Sequence, residues 1–171
     1  AYALKHKASE IFSVEPASDT FKRLKKNIGT YKNVTLVNKG ISSEKGESDL
    51  FMSPQSGVSS KFSSGNQNDQ TQIQTISTID FTSLIKEYDI KKIDFLKIDC
   101  EGGEIDLFRN ISEDYLKNNV SKIVCEIHPF AFSGSREDYE KTIKSKLIKC
   151  GFDVQEEPIF SEEDWQSTTA A

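Results

Sequence analysis

Long apolar runs are missing from this sequence, and so are concentrations of basic charge. No stretch approaches the roughly 18 apolar residues that a membrane-spanning helix needs, and the first residues lack the apolar segment and cleavage site of a secretion signal. Lys and Arg number 22 against 27 Asp and Glu, a net charge of −5, and they form no basic stripe. We therefore expect neither a membrane nor a nucleic-acid partner.

Cysteine is also scarce. The three cysteines, Cys100, Cys125 and Cys150, are odd in number and contain no Cys-x-x-Cys pair, so neither a disulfide framework nor a structural zinc site is predicted. Free thiols are typical of a reducing compartment, and a cytoplasmic location is therefore expected. No Gly-x-Ser-x-Gly motif occurs, and the acidic neighbours of Cys100 would not lower its pKa, so nucleophilic catalysis is not predicted.

Segments of strand and helix type alternate along the 171 residues. Strands are predicted at residues 11–14, 34–37, 73–79, 93–98, 123–127 and 152–154, with a short extra one at 48–52. Helices are predicted at residues 1–9, 19–28, 81–88, from 104 onward, and 136–150. This alternation implies βαβ units, hence an α/β domain with a mostly parallel sheet and helices on both faces. We predict one domain over residues 1–155 and an acidic tail over 156–171. The polar stretch 53–72 is either a surface insertion or a cover over an active site.

Acidic residues and a histidine stand where predicted strands end, which is where open α/β sheets bind ligands. Glu15 ends the first strand, and a carboxylate there can accept hydrogen bonds from both hydroxyls of a ribose. The alternative is a solvated loop residue. His128 ends the strand at 123–127 and is either structural or catalytic. Glu126, inside the same apolar run, is expected to be buried, and it either pairs with Lys97 on the neighbouring strand or acts in catalysis.

The segment from Lys97 to Glu104 carries most of the predicted chemistry. A strand runs into Asp99 and Glu101, then into a glycine pair that permits a tight turn, then into a helix. Asp99 and Glu101 can act as general base, orient an acceptor, or hold a cation. Glu104 lies in the first helical turn, where it is expected to cap the helix. Asp99, Glu101 and His128 lack a metal-binding spacing, so no metal is predicted.

Four strings in this order resemble the FkbM family of methyltransferases, over about residues 8–155. They are Phe12-Ser13-Val14-Glu15-Pro16, Phe21-Lys22-Arg23-Leu24-Lys25-Lys26-Asn27, Ile79-Asp80-Phe81 and Lys97-Ile98-Asp99-Cys100-Glu101-Gly102-Gly103-Glu104. The resemblance implies a Rossmann-like class I fold that binds S-adenosylmethionine. It also implies methyl transfer, usually to an oxygen of a sugar or a secondary metabolite, so that the partner is a small-molecule or glycan acceptor.

The resemblance also assigns roles to residues. Glu15 would bind the ribose of the cofactor, and Gly40 and Ile41 would lie near its adenine. Asp99 would sit beside the cofactor at the acceptor site, with Glu101 and His128 as its neighbours. A hydroxyl acceptor must lose a proton, which Asp99 or His128 could take.

One feature of the family has no counterpart in this chain. The family begins with a strand and an Asp-x-Gly-x-x-x-Gly loop that cradles the methionine end of the cofactor, whereas no glycine precedes Gly29 here. We expect a fragment that lacks the first strand, whose place is between the strands at 11–14 and 93–98, and that alone binds S-adenosylmethionine weakly or not at all. Two alternatives stay open, namely a nicotinamide-dinucleotide oxidoreductase and a non-catalytic α/β module.

Overall fold

The structure is a computed structural model that describes residues 2–5, 7–52, 59–60, 72–128 and 136–156. Most of the polar stretch 53–72 and nearly all of the predicted acidic tail at 156–171 lie outside these residues. None of the described helices combines the length and apolarity that crossing a bilayer requires.

Strands and helices alternate along most of the chain, as the sequence predicts. The strands are β1 (Ile11–Val14), β2 (Val34–Val37), β3 (Gly40–Ile41), β4 (Gly46–Met52), β5 (Ser59–Ser60), β6 (Gln72–Ile79), β7 (Leu96–Ile98) and β8 (Ile123–Cys125). The helices are α1 (Tyr2–Lys5), α2 (Ser18–Ile28), α3 (Phe81–Glu87), α4 (Glu104–Asn110), α5 (Glu113–Asn119), α6 (Arg136–Tyr139) and α7 (Ser145–Lys149), with a π-helical turn (Glu140–Lys144) joining the last two.

The described strands form three separate sheets. β1 pairs with β2 and β7 with β8, both in parallel, and β3, β6, β4 and β5 form a mixed sheet in that order. β1 is connected to β2 through α2, and β7 to β8 through α4 and α5, as parallel strands require. The α/β class is therefore confirmed, whereas one continuous parallel sheet is not found among the described residues.

One main apolar core joins the elements that carry the strand ends. Three of its most buried side chains come from α4 and the segment after it, namely Phe108, Ile111 and Leu116, each at most 1% exposed. Residues of β2, β6, α3, β7 and the π-helical turn pack around them. Because α4 packs into this core, the core fixes the end of the turn that leads into α4.

Several parts of the prediction are wrong. Within the described residues, the helix predicted over 1–9 is observed only at Tyr2–Lys5, and the strand predicted at 123–127 ends at Cys125. Residues 152–154 are not a strand, although Phe152 and Val154 pack against the core. β7 is shorter than 93–98, because Ile93 forms only an isolated bridge with Val120. α5 was not predicted, yet it has an ordinary start signal, since the side chain of Ser112 accepts a hydrogen bond from the backbone N–H of Tyr115.

The cap of α3 gives a first test. The side chain of Asp80 accepts a hydrogen bond of 2.9 Å from the backbone N–H of Ser83. Replacing Asp80 by Ala should lower the free energy of unfolding by about 1 kcal/mol, because it leaves an N–H of the first turn without an acceptor. Urea denaturation measures the change. Asp94→Ala, which removes an exposed carboxylate paired with exposed Lys92, should change it by less than about 0.5 kcal/mol.

Candidate active site at the strand ends

The turn between β7 and α4 has an unusual backbone. Glu101 has a φ of +49° and Gly102 a φ of +106°. The φ of Gly102 is one that glycine adopts readily. The φ of Glu101 costs conformational energy in any residue that has a Cβ. Such conformations persist where surrounding contacts hold them, often at functional sites. The turn therefore presents the side chain of Glu101 in a fixed direction.

Glu104 is the residue that closes this turn. Its side chain is fully buried, with 0% exposure. One carboxylate oxygen, Oε1, accepts a 3.2 Å hydrogen bond from the backbone N–H of Cys100, and the other, Oε2, accepts one of 2.9 Å from Gly102. Its predicted role as a simple helix cap is thus incomplete, because the carboxylate ties the start of α4 back to the strand end.

His128 lies beside the same turn, three residues after β8. Its ring is 6% exposed. Nδ1 is 2.8 Å from Oε1 of Glu104, and Nε2 is 3.3 Å from Oε2 of Glu101. The imidazole therefore lies between two carboxylates. The sequence-based expectation that the ends of these two strands converge is met for Glu101 and His128.

Burial and neighbouring charges shift the pKa values of His128 and Glu101. Burial alone lowers the pKa of His128, but the hydrogen bond and charge of Glu104 and the charges of Glu101 and Glu126 together raise it above its ordinary value. Burial raises the pKa of Glu101, as do the neighbouring carboxylates, while His128 lowers it. Both shifts favour keeping a proton between His128 and Glu101.

Asp99 and Lys97 form an ion pair at the end of β7. The predicted pair between Lys97 and Glu126 is therefore wrong, and Glu126 is exposed rather than buried. The side chains of β7 and β8 alternate between core and solvent, which places Lys97, Asp99 and Glu126 on the outer face. Polar atoms of Asp99, Glu101 and His128 lie within 4.8 Å of one another, a spacing that a cation can span. The absence of a resident metal stays a prediction.

Glu15 ends β1 as predicted and lies partly buried at the start of α2. Its Oε1 accepts a 2.8 Å hydrogen bond from the backbone N–H of Ala17, while burial raises the pKa of the carboxyl. Within the described part of the chain, no hydrogen bond to Oε2 is found. The side-chain amide of Asn38 donates to the carbonyls of Glu15 and Pro16 and so holds the loop.

Gly40 and Ile41 connect Glu15 with the turn after β7. A methyl group on Gly40 would lie 3.5 Å from Cβ of Pro16 and 2.7 Å from Cδ1 of Ile76, so the close packing of Ile76 is one reason for a glycine there. A methyl group on Gly103 would lie 3.3 Å from the carbonyl oxygen of Ile41. β3 therefore lies close both to Pro16, which follows the predicted cofactor residue Glu15, and to Gly103, in the turn that carries the predicted acceptor residues.

A surface cavity of about 380 Å³ lies elsewhere, between α4, α5 and the last helical segments. Its lining includes Lys141, Lys146 and Lys149. Lys141 pairs with Glu137 and Lys149 with Glu113, while Lys146 donates to two backbone carbonyls, one in the last turn of α4 and one just after it. These cations already have partners, and the cavity contains none of the predicted site residues.

A comparison with known protein families decides the family. Residues 1–154 match the methyltransferase FkbM domain. The chain belongs to the FkbM methyltransferase family. Neither the curated proteins nor the solved structures contain a match to it.

In this FkbM domain, one residue of the candidate site, Glu104, makes more contacts than the sequence predicts. Glu104 is the last acid of the string that resembles the family, yet its position in a first helical turn suggested only capping. Its contact with His128 joins positions 24 residues apart in the chain, and no local pattern predicts such a contact. One signal in the sequence indicates the contact: an acid of this string and a histidine at a neighbouring strand end can form a pair.

Proposed function

We propose that this FkbM domain transfers a methyl group from S-adenosylmethionine to a hydroxyl oxygen of a sugar or of a secondary metabolite. One observation carries the proposal: three segments far apart in the chain adjoin one another. They are Glu15-Pro16 after β1, Gly40-Ile41 in β3, and the turn from Asp99 to Glu104. Their arrangement supports a Rossmann-like class I fold, because ligands of such folds bind at the carboxyl ends of parallel strands.

The residues on the cofactor side suit a nucleoside. Glu15 has a carboxylate oxygen, Oε2, to which no donor of the described chain is assigned, and the two hydroxyls of a ribose are donors of the right kind. Gly40 lies against Pro16, the residue after Glu15, and with Ile41 would border the adenine. When bound, the cofactor supplies a methyl group on a positively charged sulfur. The protein has to align this methyl group with the acceptor and exclude other nucleophiles.

The residues on the acceptor side suit deprotonation of a hydroxyl. In methyl transfer the acceptor oxygen would bond to the methyl carbon while the bound cofactor would keep the electron pair of the broken carbon–sulfur bond, as a neutral thioether. The hydroxyl proton passes to a base of the site, for which Asp99, Glu101 and His128 are the candidates. The partner is thus a small-molecule or glycan acceptor, and the cytoplasm, where free thiols persist, is the proposed location.

Calorimetric titration of S-adenosylmethionine into the full-length protein tests the cofactor. Binding is expected, and Glu15→Ala should weaken it by about 10- to 100-fold, since a hydrogen bond to a charged group contributes about 1.5–3 kcal/mol. Glu10→Ala, which removes an exposed carboxylate just before β1, should leave the affinity unchanged.

The same titration separates the alternatives. A nicotinamide dinucleotide that binds more tightly than S-adenosylmethionine would favour an oxidoreductase. Binding of neither ligand to the full-length protein would favour a non-catalytic module. Equal weakening by Glu15→Ala and Glu10→Ala would contradict the assigned role of Glu15.

A further inference from the structure

Three side chains form one chain of contacts, in which His128 lies between Glu104 and Glu101. The carboxylate of Glu104 is buried and is held by two backbone N–H groups of the turn. It contacts Nδ1 of His128 at 2.8 Å, while Nε2 of the same ring is 3.3 Å from Oε2 of Glu101. Both ring nitrogens of a buried imidazole therefore face a carboxylate oxygen.

The protonation of His128 follows from this geometry. A neutral imidazole has one N–H and one bare lone pair. Either neutral tautomer would direct that lone pair at a carboxylate oxygen, and two acceptors at these distances repel each other. The doubly protonated ring donates on both sides and removes the conflict. Imidazole is also intrinsically more basic than a carboxylate, so a proton shared with Glu101 resides mainly on Nε2.

The surrounding charges agree with a positive ring. Asp99, Glu101 and Glu104 carry three negative charges at this end of β7. Lys97 offsets one of them through its contact with Asp99, and a protonated His128 offsets a second. Glu126, on the outer face after β8, adds a more distant negative charge that acts on His128 in the same direction.

We propose that Glu104 is a positioning residue that holds His128 as an imidazolium, and that His128 in turn holds Glu101, which takes the proton of the acceptor. This assignment rests on the proposed function and selects among its three candidate bases, of which Asp99 is already paired with Lys97. An imidazolium has no lone pair with which to accept a proton, so His128 does not serve as the base. Its positive charge stabilises the ionised form of Glu101 and fixes the direction of that side chain.

Nitrogen NMR of the histidine ring tests the proposal without any activity. The chain has two histidines, so His6→Asn in this chain leaves His128 as its single labelled imidazole. Long-range proton–nitrogen spectra report which ring nitrogens carry hydrogen. We expect both nitrogens of His128 to be protonated at pH 7. Glu104→Gln should lower the midpoint of the His128 titration by about one pH unit or more, because a neutral amide replaces a contacting negative charge.

Matched variants sharpen the result. Glu126→Gln removes an exposed carboxylate from the same strand end and should move the midpoint less than Glu104→Gln. Glu101→Gln, which alters the other contact of the ring, should also lower the midpoint and keeps the test decisive if Glu104→Gln does not fold. The His128 signal of the protein with Glu101 and Glu104 intact reports the charge of the ring even if neither variant folds.

Several outcomes would overturn the assignment. A neutral ring at pH 7, with hydrogen on one nitrogen only, would make His128 available as a base. An unchanged midpoint in both Glu104→Gln and Glu101→Gln would show that neither carboxylate holds the charge. Broadening of the His128 signals by stoichiometric Mn²⁺ would show that a cation occupies the place of the Nε2 proton.

Activity provides a second readout that a purely structural role would not move. If methyl transfer occurs, Glu104→Gln should lose it as the pH rises through the lowered midpoint of His128 and retain it below that midpoint. A loss of activity independent of pH would contradict the proposal. If the protein proves not to be a methyltransferase, the NMR result still decides the charge of His128, so failure of the two proposals can be told apart.

Discussion

Replacing Glu104 by Ala is expected to lower the free energy of unfolding by about 3–5 kcal/mol, which is the range found when one partner of a buried charged pair is removed. The carboxylate is fully buried and accepts hydrogen bonds from Cys100 and Gly102 as well as contacting His128. Its loss leaves two backbone N–H groups and a ring nitrogen without their acceptor. Urea denaturation at pH 7 measures the change.

The control for this experiment is Glu126→Ala. Glu126 is a glutamate at the end of a neighbouring strand, but it is exposed, and its removal should change the free energy of unfolding by no more than about 0.5 kcal/mol. A loss below about 1 kcal/mol in Glu104→Ala would mean that water replaces the carboxylate. The turn would then not depend on Glu104 for its shape.

Replacing Phe108 by Ala is expected to cost about 3–5 kcal/mol of folding free energy, the usual range for truncating a buried aromatic residue. Phe108 has 0% exposure and lies in the main core on α4. Truncation leaves a cavity that the packed neighbours can fill only in part. Because the same helix begins at Glu104, the loss should also loosen the turn that carries Glu101.

Phe95→Ala is the matched control for Phe108→Ala, since Phe95 is an aromatic residue with 47% exposure. Its truncation should cost clearly less, about 1 kcal/mol or below. Thermal or urea unfolding of both variants gives the comparison. Equal losses would contradict the central place of α4 in the core.

Much of the fold could be predicted because its signals are local. The apolar face of α2, the aspartate that caps α3, and the glycine after α7 with a φ of +91° each depend on residues close together in sequence. The misjudged elements depend on distant partners. Residues 152–154 have a strand-like composition, but a strand also needs a neighbour to pair with, and none is assigned to them among the described residues.

In the candidate site, too, some features follow from the local sequence and others depend on distant partners. That Glu15, Asp99, Glu101 and His128 stand at strand ends could be inferred, because carboxyl ends of parallel strands meet at one edge. The pairing of Glu126 with Lys97 was inferred wrongly. Glu126 follows the strand on its outer face, where water solvates it and no partner is required, and Lys97 contacts Asp99 instead.

By itself, the sequence determined the α/β class, the strand ends that carry acids, and the string of residues by which the chain resembles its family. Those features follow from periodicity and from the order of residue types. Only the tertiary structure decided that Glu104 is buried, that it contacts His128, and that Glu101 lies on the other side of the ring. The physical reason is that burial and charge pairing depend on which segments meet in space, and residues 104 and 128 meet only when α4 and the end of β8 pack on the same core.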